Sequence, residues 1–281
     1  MRLRSVTVSI VIYNNSPEEV RGLLIRLQQD ACIEHWVIVD NGNSDEIREA
    51  VEALGGVYIR TGGNLGFGRG HNLALKYLED VDASYHLILN PDIEFDAGTL
   101  GRLASMMDSH PEVGLVMPKI VYPDGSIQYL CKLLPTPMDL VLRRFSPGCM
   151  RKFVRKRMEA FDLHCFDYAA SAYIPYLSGC FMFTRRSVLE AVGGFDERFF
   201  LYMEDLDLCR RIGTKAKLLY WPEVVVTHVH QKASYKNFRI LHLHLVAAIK
   251  YFNKWGWFFD SGRKVANRET IAHLRTKGYN M

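Results

Sequence analysis

Over the first 120 residues, short apolar runs alternate with polar segments of helix length, and this alternation constrains the fold more than any other feature. Ser5–Tyr13, Glu34–Asp40, Val57–Arg60, Tyr85–Leu89 and Val113–Pro118 read as strands, with helices at Glu18–Gln29, Asp45–Leu54, His71–Glu79 and Ala97–Met107. Such a pattern predicts βαβ units, hence an α/β fold with a doubly wound, mostly parallel sheet and helices on both faces. With 281 residues, 48% of them hydrophobic, the chain can bury one large core.

The first run is preceded by Arg2 and Arg4, as in a secretion signal, but it lacks a small-residue cleavage site and ends in the turn Asn14-Asn15-Ser16-Pro17. A buried strand fits better. No stretch approaches the roughly 18 uninterrupted apolar residues of a membrane span, so the expectation is a cytoplasmic protein, at most peripheral at the inner face of the membrane. A net charge of +4 without a dense basic face argues against nucleic acid as a partner. The six cysteines are scattered without a C-x-x-C pair, which fits reduced thiols rather than a zinc site or a disulfide framework.

In doubly wound sheets ligands bind beyond the carboxyl ends of the strands. The residues there are Tyr13-Asn14-Asn15, Asp40-Asn41-Gly42-Asn43, the run from Thr61 to Gly70, and Asn90-Pro91-Asp92. Each alone is ordinary turn chemistry, but together they should converge on one rim. Asp40 can accept a hydrogen bond from the imide N–H of uracil or thymine, and Tyr13 offers a ring face for packing. The plain alternative is that Asp40 caps the following helix or closes an Asx-turn. In NLGFGRGHN the glycines let backbone amides approach phosphate or sugar oxygens, with Asn64, Arg69 and Asn72 as side-chain donors. The spacing is G-x-G-x-G after the third strand, not a dinucleotide fingerprint after the first.

Asp92 is placed to offer a hard oxygen ligand to a cation at the rim. One carboxylate makes a weak site, and His228 and His230, following the late strand Val224–Thr227, are the candidates for a second ligand. Five carboxylates fall within the twelve residues from Asp196 to Asp207. Glu204 and Asp205 would open a helix that ends in Arg210-Arg211, which suits the helix dipole. Glycines and aromatics interleaved with these acids suggest a cleft that holds a general base.

Taken together, Asp40 in VDNGNSD, the NLGFGRGHN run, Asn90-Pro91-Asp92, Ser178-Gly179-Cys180 and GGFDERFFLYMEDLDLCRR resemble family 2 glycosyltransferases of the GT-A fold, nearest to bacterial rhamnosyltransferase-type members, over about residues 5–230. The resemblance implies inverting transfer from a dTDP- or UDP-sugar, with rhamnose favoured, onto a glycan or lipid-linked glycan in surface polysaccharide assembly. It makes Asp205, paired with Glu204, the catalytic base, and it gives Asp92 and His228 to Mg2+ or Mn2+. Tyr13, Asn15, Asp40, Asn64, Gly66, Arg69, Asn72, Asn90, Ser178 and Gly179 would hold the nucleotide sugar. Asn90 replaces the first acid of the family's D-x-D motif, which leaves fewer anionic ligands for the cation. A nucleotidyltransferase would be expected to carry a basic glycine-rich loop after the first strand, and Tyr13-Asn14-Asn15-Ser16-Pro17 has no cation. A catalytically silent nucleotide-sugar-binding protein is the other alternative, against which the intact Glu204-Asp205 pair argues.

Residues 1–230 form the expected nucleotide-sugar and catalytic domain, with an insert at 131–168, and 231–281 a helical tail. A hairpin is expected at Tyr122-Pro123-Asp124-Gly125-Ser126, one apolar strand over Tyr173–Thr184, and two short strands around Trp221 and Val225. The segment Arg143–Arg157 carries seven basic residues and no acid, beside Phe145, Met150, Phe153 and Val154. The tail adds Trp255, Trp257, Phe258 and Phe259 near Lys250, Lys254, Arg263 and Lys264. Both suit an anionic lipid surface, unless they are a solvated face and core aromatics.

Overall fold

The computed structural model describes residues 5–144, 151–229 and 238–279. The first half runs β1 (Val6–Ile12), α1 (Pro17–Gln29), β2 (Ile33–Asp40), α2 (Asp45–Ala53), β3 (Val57–Arg60), α3 (Phe67–Tyr77), β4 (Tyr85–Leu89), β5 (Ile93–Glu94), α4 (Thr99–Ser109) and β6 (Val113–Val121). The second half runs β7 (Cys131–Lys132), α5 (Pro137–Arg144), α6 (Arg151–Phe161), β8 (Ala172–Tyr173), β9 (Tyr176–Leu177), β10 (Phe181–Arg185), α7 (Arg186–Ala191), α8 (Glu204–Ile212), β11 (Lys217–His228), α9 (Phe238–Trp255) and α10 (Ser261–Thr276).

Local signals explain the early elements. Ser16 caps α1 reciprocally with Glu19, Pro17 occupies the first turn, and Val20, Leu23, Leu24 and Leu27 bury one helical stripe. β4 is buried along its whole length and β1 nearly so, as strands covered by helices on both sheet faces must be. The main sheet has the order β3-β2-β1-β4-β10-β6-β11-β5. β3, β2, β1 and β4 are parallel, β10 is antiparallel to both its neighbours, and β11 is again parallel to β6.

Three boundaries differ from the sequence reading. Tyr173–Thr184 is not one strand, because Pro175 and the Ser178-Gly179 turn divide it into β8, β9 and β10. The two strands expected around Trp221 and Val225 are one strand, β11, whose register shifts between those residues, where Pro222 cannot donate to the ladder. α3 begins at Phe67 rather than His71, with two glycines inside its first turn. The hairpin turn is present: Tyr122 N–H donates to Ser126 O at 2.8 Å, and Gly125 has φ +80°.

α9 and α10 pack against α8. Leu206 of α8, with Phe199 and Leu134, shares a buried cluster with Ala247, Tyr251 and Phe252 of α9. Arg210 donates to both carboxylate oxygens of Asp260, the N-cap of α10, at 2.7 and 2.8 Å, and lies 4.0 Å from the centre of the Trp255 ring. No helix among the described residues is long and apolar enough to cross a membrane.

Candidate active site

The carboxyl ends of β1, β2 and β4, the turn before β10, the start of α8 and the end of β11 supply the site. β5 pairs antiparallel with the last residues of β11, so that His228 lies opposite Ile93 and next to Asp92. This register sets Asp92 Oδ1 3.2 Å from His228 Nε2. Gln128 fixes the ring: its Nε2 donates to the His228 carbonyl at 2.9 Å, which leaves Oε1 3.0 Å from His228 Nδ1. Nδ1 therefore carries a hydrogen and Nε2 faces the carboxylate, as in the outer shell of many metal sites. Burial lowers the His228 pKa, but the hydrogen bond to Asp92 and the Cys180 sulfur outweigh it and raise it to about 10. A cation at this place would substitute for that proton. The pair offers one oxygen and one nitrogen that would suit a divalent ion, and among the described residues no third His, Cys, Asp or Glu joins them. Asn90, whose N–H donates to Cys180 O at 2.9 Å, sits two residues before Asp92 at the same strand end. His230 lies outside the described residues.

Asp205 is held at the start of α8. Gly179 N–H donates to its Oδ2 at 3.0 Å, Leu206 N–H to its Oδ1 at 2.8 Å, and the Tyr176 hydroxyl reaches Oδ2 at 3.2 Å. A Cβ on Gly179 would stand 3.0 Å from the Asp205 Cβ, so glycine here permits the close approach of the turn to the acid. Ser178, half-buried, precedes it in the same turn. Burial raises the Asp205 pKa, against which the two amides and the Lys132 charge act. Glu204 beside it is also buried, and among the described residues its Oε2 has no hydrogen-bond partner. Burial and the neighbouring Asp205 push the Glu204 carboxyl up. The donors favour Asp205 as the ionised member and Glu204 as the one that keeps its proton. The helix is entered through two consecutive non-glycine residues in left-handed conformation, Tyr202 (φ +72°) and Met203 (φ +67°). Strain of this sort is worth about 1–3 kcal/mol per residue and persists only where surrounding structure enforces it.

Asp40 and its neighbours at the ends of β1 and β2 present a more committed set. Asp40 is buried, and its carboxylate already accepts from Gly42 N–H at 2.5 Å, Ser44 N–H at 2.7 Å and the Tyr58 hydroxyl at 2.6 Å. A carboxylate has about four acceptor sites, so about one remains for a ligand. Tyr13 is 53% exposed, with its ring at the rim. Asn15 accepts from Tyr13 N–H and donates to Glu19, so it closes the turn before α1.

The glycine run acts largely on the protein itself, which departs from the expected phosphate cradle. Leu65 N–H donates to Asn41 Oδ1, Gly66 N–H to Asn64 Oδ1, Phe67 N–H to Phe200 O and Gly70 N–H to Gly66 O. A Cβ on Gly66 would stand 2.0 Å from Phe200 O, and one on Gly70 would stand 2.7 Å from a Val11 methyl. These glycines bring α3 onto β1 and onto the loop that leads into α8. Asn72 bonds the backbone of Phe195 in both directions, and Arg69 donates to Glu197 O. Asn72 and Arg69 thereby tie α3 to the acidic loop.

Asn41, named in the sequence reading only as part of a strand-end run, and three residues not named there matter here. Asn41 bridges the second and third strand ends, Gln128 orients His228, Tyr176 bonds Asp205, and Lys132 lies beside Tyr176 in the β7–β9 pair. Only tertiary pairing shows their roles. Parts of the surface expected to meet lipid are instead engaged within the protein. Val154 is in the core, Arg157 bonds Asp139, and Lys254 pairs with Asp196 and Asp207. Phe145 and Met150 lie outside the described residues.

The family model described as Glycosyl transferase family 2 matches residues 7–193. An N-acetylglucosaminyl-diphospho-decaprenol L-rhamnosyltransferase of Mycobacterium tuberculosis is 31% identical over 209 residues, which cover 68% of this chain and 65% of that protein. The chain thus spans slightly under two-thirds of that relative's length. Rhamnosyltransferase WbbL of Escherichia coli is 27% identical over 257 residues, covering 87% and 92%. Among solved structures, mannosyltransferase PcManGT from Pyrobaculum calidifontis, in complex with GDP-Man and Mn2+, superposes with a TM-score of 0.57 at 19% identity, covering 97% of this chain and 74% of that one. S. aureus TarS 1-349 gives 0.58 at 15%, covering 98% and 74%. These likenesses show the GT-A fold. With the family model spanning β1 to α7, the chain belongs to glycosyl transferase family 2.

Proposed function

We propose that this protein is an inverting glycosyltransferase that moves a sugar, rhamnose by preference, from a pyrimidine nucleoside diphosphate onto an acceptor hydroxyl of a lipid-linked glycan. The observation that carries the reading is Asp205, held by two amides and a tyrosine hydroxyl on the same rim as the Asp92–His228 pair. The rhamnosyl preference and the lipid-linked acceptor are supported by the names of the mycobacterial and E. coli relatives.

Asp205 takes the proton of the acceptor hydroxyl as that oxygen bonds to the anomeric carbon and the bond from this carbon to the diphosphate breaks. Tyr176 and the Gly179 amide hold the carboxylate in place for that transfer. Asp92 and His228, with Asn90 as a neutral neighbour, would hold a Mg2+ or Mn2+ ion, which supplies charge neutralisation to the departing diphosphate. The Tyr13 ring offers a stacking face to the base, and the remaining acceptor site of Asp40 suits the imide N–H.

A thermal-shift screen of dTDP- and UDP-sugars, with and without Mn2+ or Mg2+, tests the donor and the metal together. The expected result is a rise in melting temperature that needs both the nucleotide sugar and the cation and is lost in Asp92→Ala. Equal shifts with and without cation would remove the metal from the proposal. Peripheral membrane contact is supported by Phe258 and Phe259, which are 78% and 92% exposed in the turn between α9 and α10. Flotation with anionic but not neutral vesicles, weakened by Phe258→Ser with Phe259→Ser, is expected. Equal recovery with both vesicle types would contradict it.

A further inference from the structure

Lys132 stands in an unusual place for a lysine. It lies in β7, paired with Tyr176 of β9, and its side chain is only 15% exposed, yet among the described residues its ammonium donates no hydrogen bond. Its nearest anion is Asp162 Oδ1 at 3.7 Å, beyond hydrogen-bond range. Arg143 at the end of α5 points to the same oxygen at 3.5 Å and is 44% exposed. Two cations therefore share one carboxylate at long range, and a largely buried ammonium so loosely paired carries a desolvation cost that a closer anion would offset.

The cluster connects to Asp205 through Tyr176. From Asp92 and His228 the protein leads through Cys180 and Gly179 to Asp205, then through the Tyr176 hydroxyl to its ring, with the Lys132 ammonium 5.9 Å from the ring centre. The two cations thus connect to Asp205 through Tyr176, whereas Asp92 and His228 connect to it through the 179–180 turn. A molecule that presents its hydroxyl to Asp205 and follows the Tyr176 ring would reach them. The Lys132 charge is close enough to Asp205 for each to shift the other.

We propose that Lys132 and Arg143 form an anion subsite for the acceptor, taking a phosphate or diphosphate that lies about one sugar ring from the hydroxyl to be glycosylated. Arg143 offers a planar fork to phosphate oxygens and Lys132 a point charge. The inference rests on the reading of Asp205 as base only for its direction, and it concerns what binds, not the transfer step. It places acceptor selection in the 131–168 insert.

The test is calorimetry with dTDP filling the donor pocket, using undecyl N-acetylglucosaminyl diphosphate and undecyl N-acetylglucosaminide as probes. Wild type should bind the diphosphate at least about tenfold more tightly than the glycoside. Lys132→Met and Arg143→Gln should reduce that preference to less than about threefold without weakening glycoside binding, and Lys132→Arg should retain most of it. Asp205→Asn should keep the preference, so a failed base assignment and a failed anion subsite give different results. No preference in wild type, equal loss of both probes in Lys132→Met, or effective competition by phosphatidylglycerol vesicles in place of the diphosphate probe would overturn the proposal.

Discussion

Glu204 and Asp205 are neighbours in sequence but meet different surroundings. Asp205 receives two amides and a hydroxyl, whereas Glu204 has a buried oxygen with no partner among the described residues. With its pKa raised by burial and then by Asp205, Glu204 keeps a proton in the folded protein that the unfolded chain releases above its ordinary value of 4.5. The folded state then binds more protons than the unfolded one, so this group's contribution to stability is full below that pH and declines as pH rises toward the raised value. Glu204→Gln mimics the protonated form and should flatten the decline, so that the variant gains melting temperature relative to wild type at pH 8 more than at pH 5. An equal difference at both pH values would contradict the assignment of the proton to Glu204. The sequence places both acids at a helix start, but it says nothing of which one is ionised, because the deciding donors come from Gly179 and Tyr176, more than 25 residues away.

At the scale of elements, α8 was legible and its partners were not. Acids in its first turn and Arg210-Arg211 in its last match the helix dipole. The structure gives the arginines further work: Arg211 bonds the fully buried Asp207, and Arg210 enters a buried pair with Asp260, fifty residues on. Removing one partner of such a pair leaves an uncompensated charge, which costs about 3–5 kcal/mol. Asp260→Ala should therefore lower unfolding free energy by about that amount in denaturant titration. A loss below about 1 kcal/mol would mean that α10 is only loosely attached to α8. Proline and glycine punctuation explains the other misjudged elements. Pro175 and Ser178-Gly179 break an apolar run into three strands, and the turn so formed is what touches Asp205. The NLGFGRGHN glycines were legible as special, but their use was not, since the atoms they make room for belong to Val11 and Phe200.

At the scale of the molecule, the rim was readable because strand ends in a parallel sheet point one way, and alternation of apolar and polar segments is enough to find them. The antiparallel β10 between β4 and β6 was not readable, since it comes from residues 181–185, after the insert, and pairs with strands about seventy to one hundred residues earlier. Its insertion is what carries the 178–180 turn to Asn90 on one side and to Asp205 on the other. The same topology brings β5 against the end of β11, so Asp92 and His228 meet only once the whole sheet is assembled. Catalysis in this account depends on that convergence, and within it on one carboxylate. The most direct measurement is the turnover of Asp205→Asn alongside its calorimetric affinity for the nucleotide sugar. The account predicts a fall in turnover of about 10²- to 10⁴-fold, with donor affinity within about threefold of wild type. Retention of more than about half the wild-type turnover would contradict it.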